Sequence, residues 1–315
     1  MKKTSLLLLF FVFCYSIMAQ SGVNLKMNLE KNKVYRFSSA SEQTISQTIN
    51  GNQQTTDSKS NSSVTIKMVD ATADFMIAEV HFDTIIYNTN SMGKTTIVSS
   101  VNEGNIKSAE SSDVMSFFMN RLCKNAIYIK LDFKGKVLEI VNSKMLSDVI
   151  MKDTSSITLN GMIGTGVKSQ IKNLVGDRTL KTMIEMFTYY LPGKQVSQGE
   201  KWNVTLNTNS GGMELDIITD YHLEGVNGTA ANVDAESDIK AAANSVPMEA
   251  GGAKITYDDL KGISKSNMVF DTRTGLLVEN KAKTHISGNL GISAPGMSMQ
   301  IPMDISGTSK IIALQ

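Results

Sequence analysis

Apolar residues recur with a period of two over residues 34–101 and 202–314, and with a period near 3.6 between those stretches. Alternation marks strands with one buried face, whereas apolar positions three and four apart mark amphipathic helices. The first strand region starts at Val34, Tyr35 and Phe37 and runs through Ile45 and Ile49 to the turn pair Asn50-Gly51. Gln53 to Ser63 is almost wholly polar, after which Val64, Ile66 and Met68 resume the alternation. Further strands are predicted over 75–87 and 95–101. Apolar ends and polar middles predict long strands, parts of which project beyond the core.

In the middle of the chain, Ser112 or Asp113 is placed to cap a helix to about Lys124 that turns Val114, Phe117, Phe118 and Leu122 inward. Strand-like runs over 126–132 and 136–142 flank Phe133-Lys134-Gly135, a hairpin with glycine at its turn. Ser143 is placed to cap a helix over 144–152, and 161–175 holds another helical piece. Residues 177–202 organise the chain. Asp177 is placed to cap a helix carrying Leu180, Met183, Ile184, Phe187 and Leu191 at helical spacing, and Pro192-Gly193 ends it. Its apolar face is expected against the C-terminal sheet. Trp202, the only tryptophan, then opens the second strand region.

Beyond Trp202, Met213, Leu215, Ile217, Tyr221 and Leu223 share one face, as do Ala231, Val233, Ala235 and Ile239 in the next run. Short turns between such runs make an antiparallel meander, and the lack of regular strand–helix alternation argues against a doubly wound parallel sheet. Around Val226-Asn227-Gly228 the apolar faces align if a three-residue loop pairs Gly225 with Thr229, with Gly228 at positive φ. Leu223 then meets Ala231, Tyr221 meets Val233 and Leu215 meets Ile239. That register also sets Asp220 opposite Asp234 and Asp216 opposite Asp238. Asp216, Asp220, Asp234 and Asp238 are therefore a candidate set for a hard cation such as Ca²⁺, with spreading into water as the plainer resolution. The expected fold class is α+β, mainly β: a large curved antiparallel sheet with a few helices from the middle of the chain packed on one face.

Residues 1–19 carry Lys2 and Lys3, an apolar run from Leu6 to about Ile17, and Ala19 before Gln20, the form of a cleavable secretory leader. The aromatic residues Phe11 and Phe13 before Cys14 fit poorly with lipid attachment there, so cleavage after Ala19 is expected. The mature chain is then 20–315, a single β-rich domain; its alternative organisation is two related halves, about 20–110 and 200–315, joined by a helical segment 111–199. Lys and Arg number 31 against 30 Asp and Glu; removing Lys2 and Lys3 leaves 29 against 30, a net charge of −1. Neither nucleic acid nor an anionic membrane is implied. Cys123 remains alone, so no intramolecular disulfide forms and packing must hold the fold. Export to the periplasm or the cell surface follows from the leader.

Two stretches, Leu191-Pro-Gly-Lys-Gln-Val-Ser-Gln-Gly-Glu-Lys-Trp202 and Phe270-Asp-Thr-Arg-Thr-Gly-Leu-Leu277, resemble a family of uncharacterised secreted envelope proteins of Bacteroidota. The resemblance implies a folded, β-rich exported protein, and it carries over no catalytic residue.

Chemistry-bearing motifs are scarce. His81, His222 and His285 sit among strand residues with no second ligand at metal spacing, and Gly-x-Ser-x-Gly and His-Glu-x-x-His are absent. Asp258-Asp259 are neighbours on a strand and point to opposite faces. The unusual feature is methionine: 19 in all, 17 after Met1 and Met18 are lost. Flexible, polarizable thioethers suit either an irregular core or a surface that adapts to apolar ligands. The favoured function is non-catalytic binding of an apolar ligand such as lipid, or of a partner, in a sheet–helix groove lined by Met183, Phe187, Met213, Leu215, Met297, Met299 and Met303. The alternative is a structural or assembly component whose exposed strand edges pair with another envelope protein. No catalytic residue, cofactor or nucleic-acid partner is expected.

Overall fold

The computed structural model describes residues 22–49, 51–210, 213–243, 245, 247–250, 253–294 and 296–314. The expected leader over 1–19 with Cys14, the expected start at Gln20, the turn residues Asn50 and Pro295, and Asn244, Gly251 and Gly252 lie outside the described residues.

The first alternating region forms β2 (Val34–Ile49), β3 (Asn52–Ala71), β4 (Met76–Ser91) and β5 (Lys94–Ser99), preceded by β1 (Val23–Leu25). The middle segment forms α1 (Ser111–Cys123), the hairpin β6 (Ile127–Leu131) and β7 (Val137–Ile140), then α2 (Ser143–Met151), α3 (Gly161–Leu174) and α4 (Asp177–Thr188). After β8 (Lys194–Val196) come β9 (Lys201–Ser210), β10 (Met213–Asn227) and β11 (Ala230–Ala241). The last strands are β12 (Met248–Ala250), β13 (Ala253–Asp271), β14 (Leu277–Ala294) and β15 (Met297–Leu314). Among the described residues no helix is long and apolar enough to cross a membrane.

One large antiparallel sheet runs β7-β6-β4-β3-β2-β15-β14-β13-β11-β10-β9, with β5 beside β4 and β12 beside β13; β1 and β8 form a separate ribbon. The sheet is not closed into a barrel. It is nevertheless curled, because α4 contacts both β7 and β9, the two ends of that path. Strands lie about 4.8 Å apart, so a flat sheet of eleven would hold its ends roughly 48 Å from each other. The helices lie against one face, as expected.

α4 acts as the plug because its sequence gives it one apolar stripe. Leu180, Ile184 and Phe187 are all but inaccessible, and Phe187 sits 5.9 Å from Phe37 of β2, ring centre to ring centre. Two boundaries differ from expectation. Gly176, not Asp177, is the N-cap, and Asp177 instead places its charge in the first turn, near the positive end of the helix dipole. The helix stops at Thr188, three residues before Leu191, where the Thr188 hydroxyl donates to the carbonyl of Gly135 at 2.7 Å. Leu191 is buried all the same, in the extended link to β8. Trp202 anchors the other side: its Nε1–H donates to the Tyr190 carbonyl at 2.8 Å, and its ring stacks on Tyr221 at 5.4 Å. In α2, Ser143 is the first helical residue and not a cap; Asn142 precedes it, with its side chain spent on Tyr128 N–H and the Ala126 carbonyl.

The hairpin between β10 and β11 corrects the expected register. Asn227 pairs with Ala230 across Gly228-Thr229, Val226 with Ala231 and Gly225 with Asn232. The ladder then skips Glu224, so that Leu223 meets Val233, Tyr221 meets Ala235 and Leu215 meets Ala241. Gly228 does take positive φ, at 59°. The extra residue lies in a bulge at Glu224 and not in the loop, which keeps the apolar face intact two residues further along. Asp216 consequently faces Lys240, and Asp220 faces Glu236. Asp216 accepts from Asn207, Asp234 from Asn267 and Asp238 from Lys240, so the four carboxylates do not converge on a cation.

Candidate functional site

Every long strand presents one register to the inside of the curl and one to the outside. Across β2, β3, β4, β9, β10, β11, β13, β14 and β15 each charged residue falls in the outer register or at an exposed bulge, as Glu224 and Asp259 do. The inner register is uncharged. Lys94, at the tip of β5, is the exception among the shorter strands of the sheet.

Three zones follow one another along that inner face. At the helix end a large apolar cluster joins Phe37, Val64, Phe82, Leu223, Val233 and Phe270 to the buried faces of the helices. At the opposite, open end, Leu215, Ile239, Leu260, Ile286, Met303 and Ile305 form a second cluster that contains no helical residue. Half-buried Ile45, Met213, Ile217 and Tyr257 border it. A bulge in β13 between Asp258 and Lys261 delivers Leu260 to this face, and Gly288 opposite leaves room for it, since a Cβ there would lie 2.8 Å from the leucine side chain.

Between the two clusters lies a belt of hydroxyls and small residues. Thr219 donates to or accepts from Ser237 at 2.9 Å, Ser264 pairs likewise with Thr284 at 2.8 Å, and Ser41 with Ser60 at 2.8 Å. Gly307 and Gln43 continue the row that contains Thr284. At the helix-end border of the belt stands Asn280, whose Oδ1 is buried and accepts no hydrogen bond from any described residue. Two residues along β14, Ala282 lies between Ser266 and Ser309.

Two polar clefts lie elsewhere. One of about 400 Å³ marks the seam where α4 bridges β7 and β9. There Glu185 accepts from Val137 N–H at 2.9 Å, Lys181 donates to the Leu138 carbonyl at 2.7 Å, and Arg178 pairs with Glu214 at 2.6 Å. Burial raises the Glu185 carboxyl above its usual range, against the downward pull of Val137 N–H and of Lys136 and Lys181. The other, of about 670 Å³, crosses six strands from β14 to β5 and is lined mostly by outer-register side chains, with Lys59 paired to Glu42 at 2.7 Å.

The predicted groove residues divide between zones. Met213, Leu215 and Met303 belong to the open-end cluster, and Met297 and Met299 extend the same face of β15 towards its tip. Met183 and Phe187 lie in the helix-end core, because α4 spans the sheet's ends and does not cover the open end. The three histidines lie in the outer register, beside Glu79, Glu224 and Asp304 respectively. Among the described residues no three His, Cys, Asp or Glu side chains gather at metal-binding distance. Cys123 is half buried, and burial pushes its thiol up, away from thiolate chemistry. Sequence reasoning missed the hydroxyl belt and Asn280. The signal was present in the alternation of Glu42, Asp57 and Lys59 with Ser41, Gln43 and Ser58, which assigns charge to one face and hydroxyls to the other.

The fold and its inner face define an open, curled antiparallel sheet plugged at one end by helices. Residues 73–277 match a family of unknown function (DUF6263), more than half of the chain, and the protein belongs to that family. No curated protein matches it. Among solved structures, a lipovitellin studied for its lipid–protein interactions is 12% identical with a TM-score of 0.47, the match covering 91% of this chain and 26% of that one. This chain thus spans about a quarter of that relative. An outer membrane channel from Pseudomonas putida F1 is 7% identical over 91% of this chain and 97% of that chain, with a TM-score of 0.27. A putative outer membrane lipoprotein-sorting protein domain from Vibrio parahaemolyticus is 8% identical over 88% and 83%, with a TM-score of 0.13. Likeness at these levels carries no inference about ligand or reaction.

Proposed function

We propose that the protein is a non-catalytic binder, exported to the cell envelope, that holds an apolar ligand against the inner face of the open end. The observation that supports this reading is the uncharged inner register, where six strands present Ile, Leu and Met to a region that no helix among the described residues covers. Met213, Leu215, Met297, Met299 and Met303 are the proposed contact residues, and their thioethers can adjust to chains of varied shape. The test is titration of the mature chain with a fluorescent acyl-chain probe. Saturable micromolar binding is expected, weakened about tenfold or more in Met299→Asp, which sets a charge on the apolar face. Absence of saturable binding, or wild-type affinity in that variant, overturns the reading.

A second reading, association through strand edges, draws on one asymmetry. Glu185 and Lys181 occupy backbone groups of β7, which blunts that edge, whereas among the described residues β9 pairs only with β10. Native mass spectrometry of protein from its own envelope distinguishes the two by the mass that co-purifies.

A further inference from the structure

We infer that the ligand is an amphiphile with an uncharged, hydrogen-bond-donating head, of the monoacylglycerol type, seated in the hydroxyl belt with Asn280 as an acceptor. This rests on the preceding reading and names the chemistry of that same site. Three observations carry it.

The first is charge. Within the curl a carboxylate or phosphate head finds no cation on any of the nine long strands, and the single inner-register lysine, Lys94, is exposed at the tip of β5. An ionised group taken from water into such a place is strongly disfavoured unless it is paired. The second is the layout. The belt adjoins the open-end apolar cluster on the same face, so a head bound among Ser264, Thr284 and Ser309 leaves its chain running along β14 and β15 towards Ile292 and Met299. The eight residue steps from Thr284 to Ile292 span about 26 Å of strand, which accommodates an extended acyl chain. In each hydroxyl pair one O–H donates to its neighbour, and the other keeps a proton for a further acceptor.

The third observation is independent of the other two. Asn280 Oδ1 is a buried acceptor that receives no hydrogen bond from a described residue. A buried polar atom is expected to be satisfied, and what this one lacks is a donor. A glycerol-type hydroxyl supplies a donor and carries no charge. A carboxylate supplies only acceptors, which oppose Oδ1.

The test compares probes with one oleoyl chain and three heads: monoolein, oleate and lysophosphatidylglycerol. Each displaces the fluorescent acyl probe below its micelle concentration and at a pH where oleate is ionised. Monoolein is expected to displace at about tenfold lower concentration than oleate, the effect of roughly one well-placed hydrogen bond and an avoided charge. Asn280→Leu, similar in size and without the acceptor, is expected to remove most of that preference while melting no lower. Ser309→Ala, on the neighbouring strand, is expected to weaken monoolein in the same direction by a smaller factor. Equal displacement by oleate and monoolein overturns the inference. So does wild-type selectivity in Asn280→Leu, the result if the amide meets only water. In both of those cases apolar binding stands. Failure of the fluorescent probe itself to bind overturns the preceding reading instead.

Discussion

The helix end and the open end share the same strands and the same inner face, yet they are held together differently. At the helix end, Phe37, Phe82, Phe187 and Phe270 are buried to within 1% in one cluster with the buried faces of all four helices. At the open end the buried residues are aliphatic or methionine, half-buried neighbours rim them, and charge is confined to the outer face. A sheet can therefore carry one region fixed by shape and another defined only by the absence of charge. The first fixes the fold by shape, and under the proposed function the second takes the ligand.

That contrast is open to direct attack. The largest effect is expected from Ile184→Asp, which buries an unpaired carboxylate in the plug and should cost on the order of several kcal/mol by urea unfolding. Wild-type stability would mean that α4 does not hold the sheet's ends together. Next is Gly135→Ala: the residue has φ of 87°, and a Cβ would collide with the Thr188 carbonyl oxygen, so a loss of about 2–4 kcal/mol is expected. The matching change at the open end, Gly296→Ala, has φ of 80° but empty space around it, and about 1 kcal/mol is expected. Equal losses at the two glycines would erase the distinction between the ends.

The smallest effect is in the pH dependence at the seam. Burial raises the Glu185 pKa in the folded chain, so folding favours its protonated form. Its contribution to stability is fully present below the unfolded value of about 4.3 and is lost as pH rises through the raised folded value. Glu185→Gln keeps an acceptor for Val137 N–H and cannot titrate. Its stability, followed by denaturant midpoint, should gain on wild type as pH rises through that window. Parallel pH profiles would show that the carboxyl is not buried in solution.

Much of this architecture was legible in the chain. Period-two alternation located the long strands, and Leu180, Ile184 and Phe187 marked the buried face of α4 before any coordinate did. What local pattern could not supply was anything set by distant partners. The end of α4 depends on Gly135, more than fifty positions away, and so Leu191 was read as helical on spacing alone. The β10–β11 register failed for a related reason. Two bulge positions satisfy the same apolar face, and only the whole ladder selects between them. The candidate site was half legible: methionine spacing put Met213 and Met297, Met299 and Met303 on one face of β10 and of β15, but Asn280 has no distinguishing neighbours in sequence.

The pairing of β15 with β2 has a consequence in time. Met303 lies against Gln47 and Leu314 against Arg36, so the first long strand waits for the last before its second edge is covered. Loop-closure entropy makes such a contact slow, and until it forms, β2 exposes a bare strand edge to neighbouring chains. A polypeptide that emerges N-terminus first must pass through that interval on every synthesis. The hydroxyl-rich, weakly apolar middle of β2 keeps the waiting edge soluble.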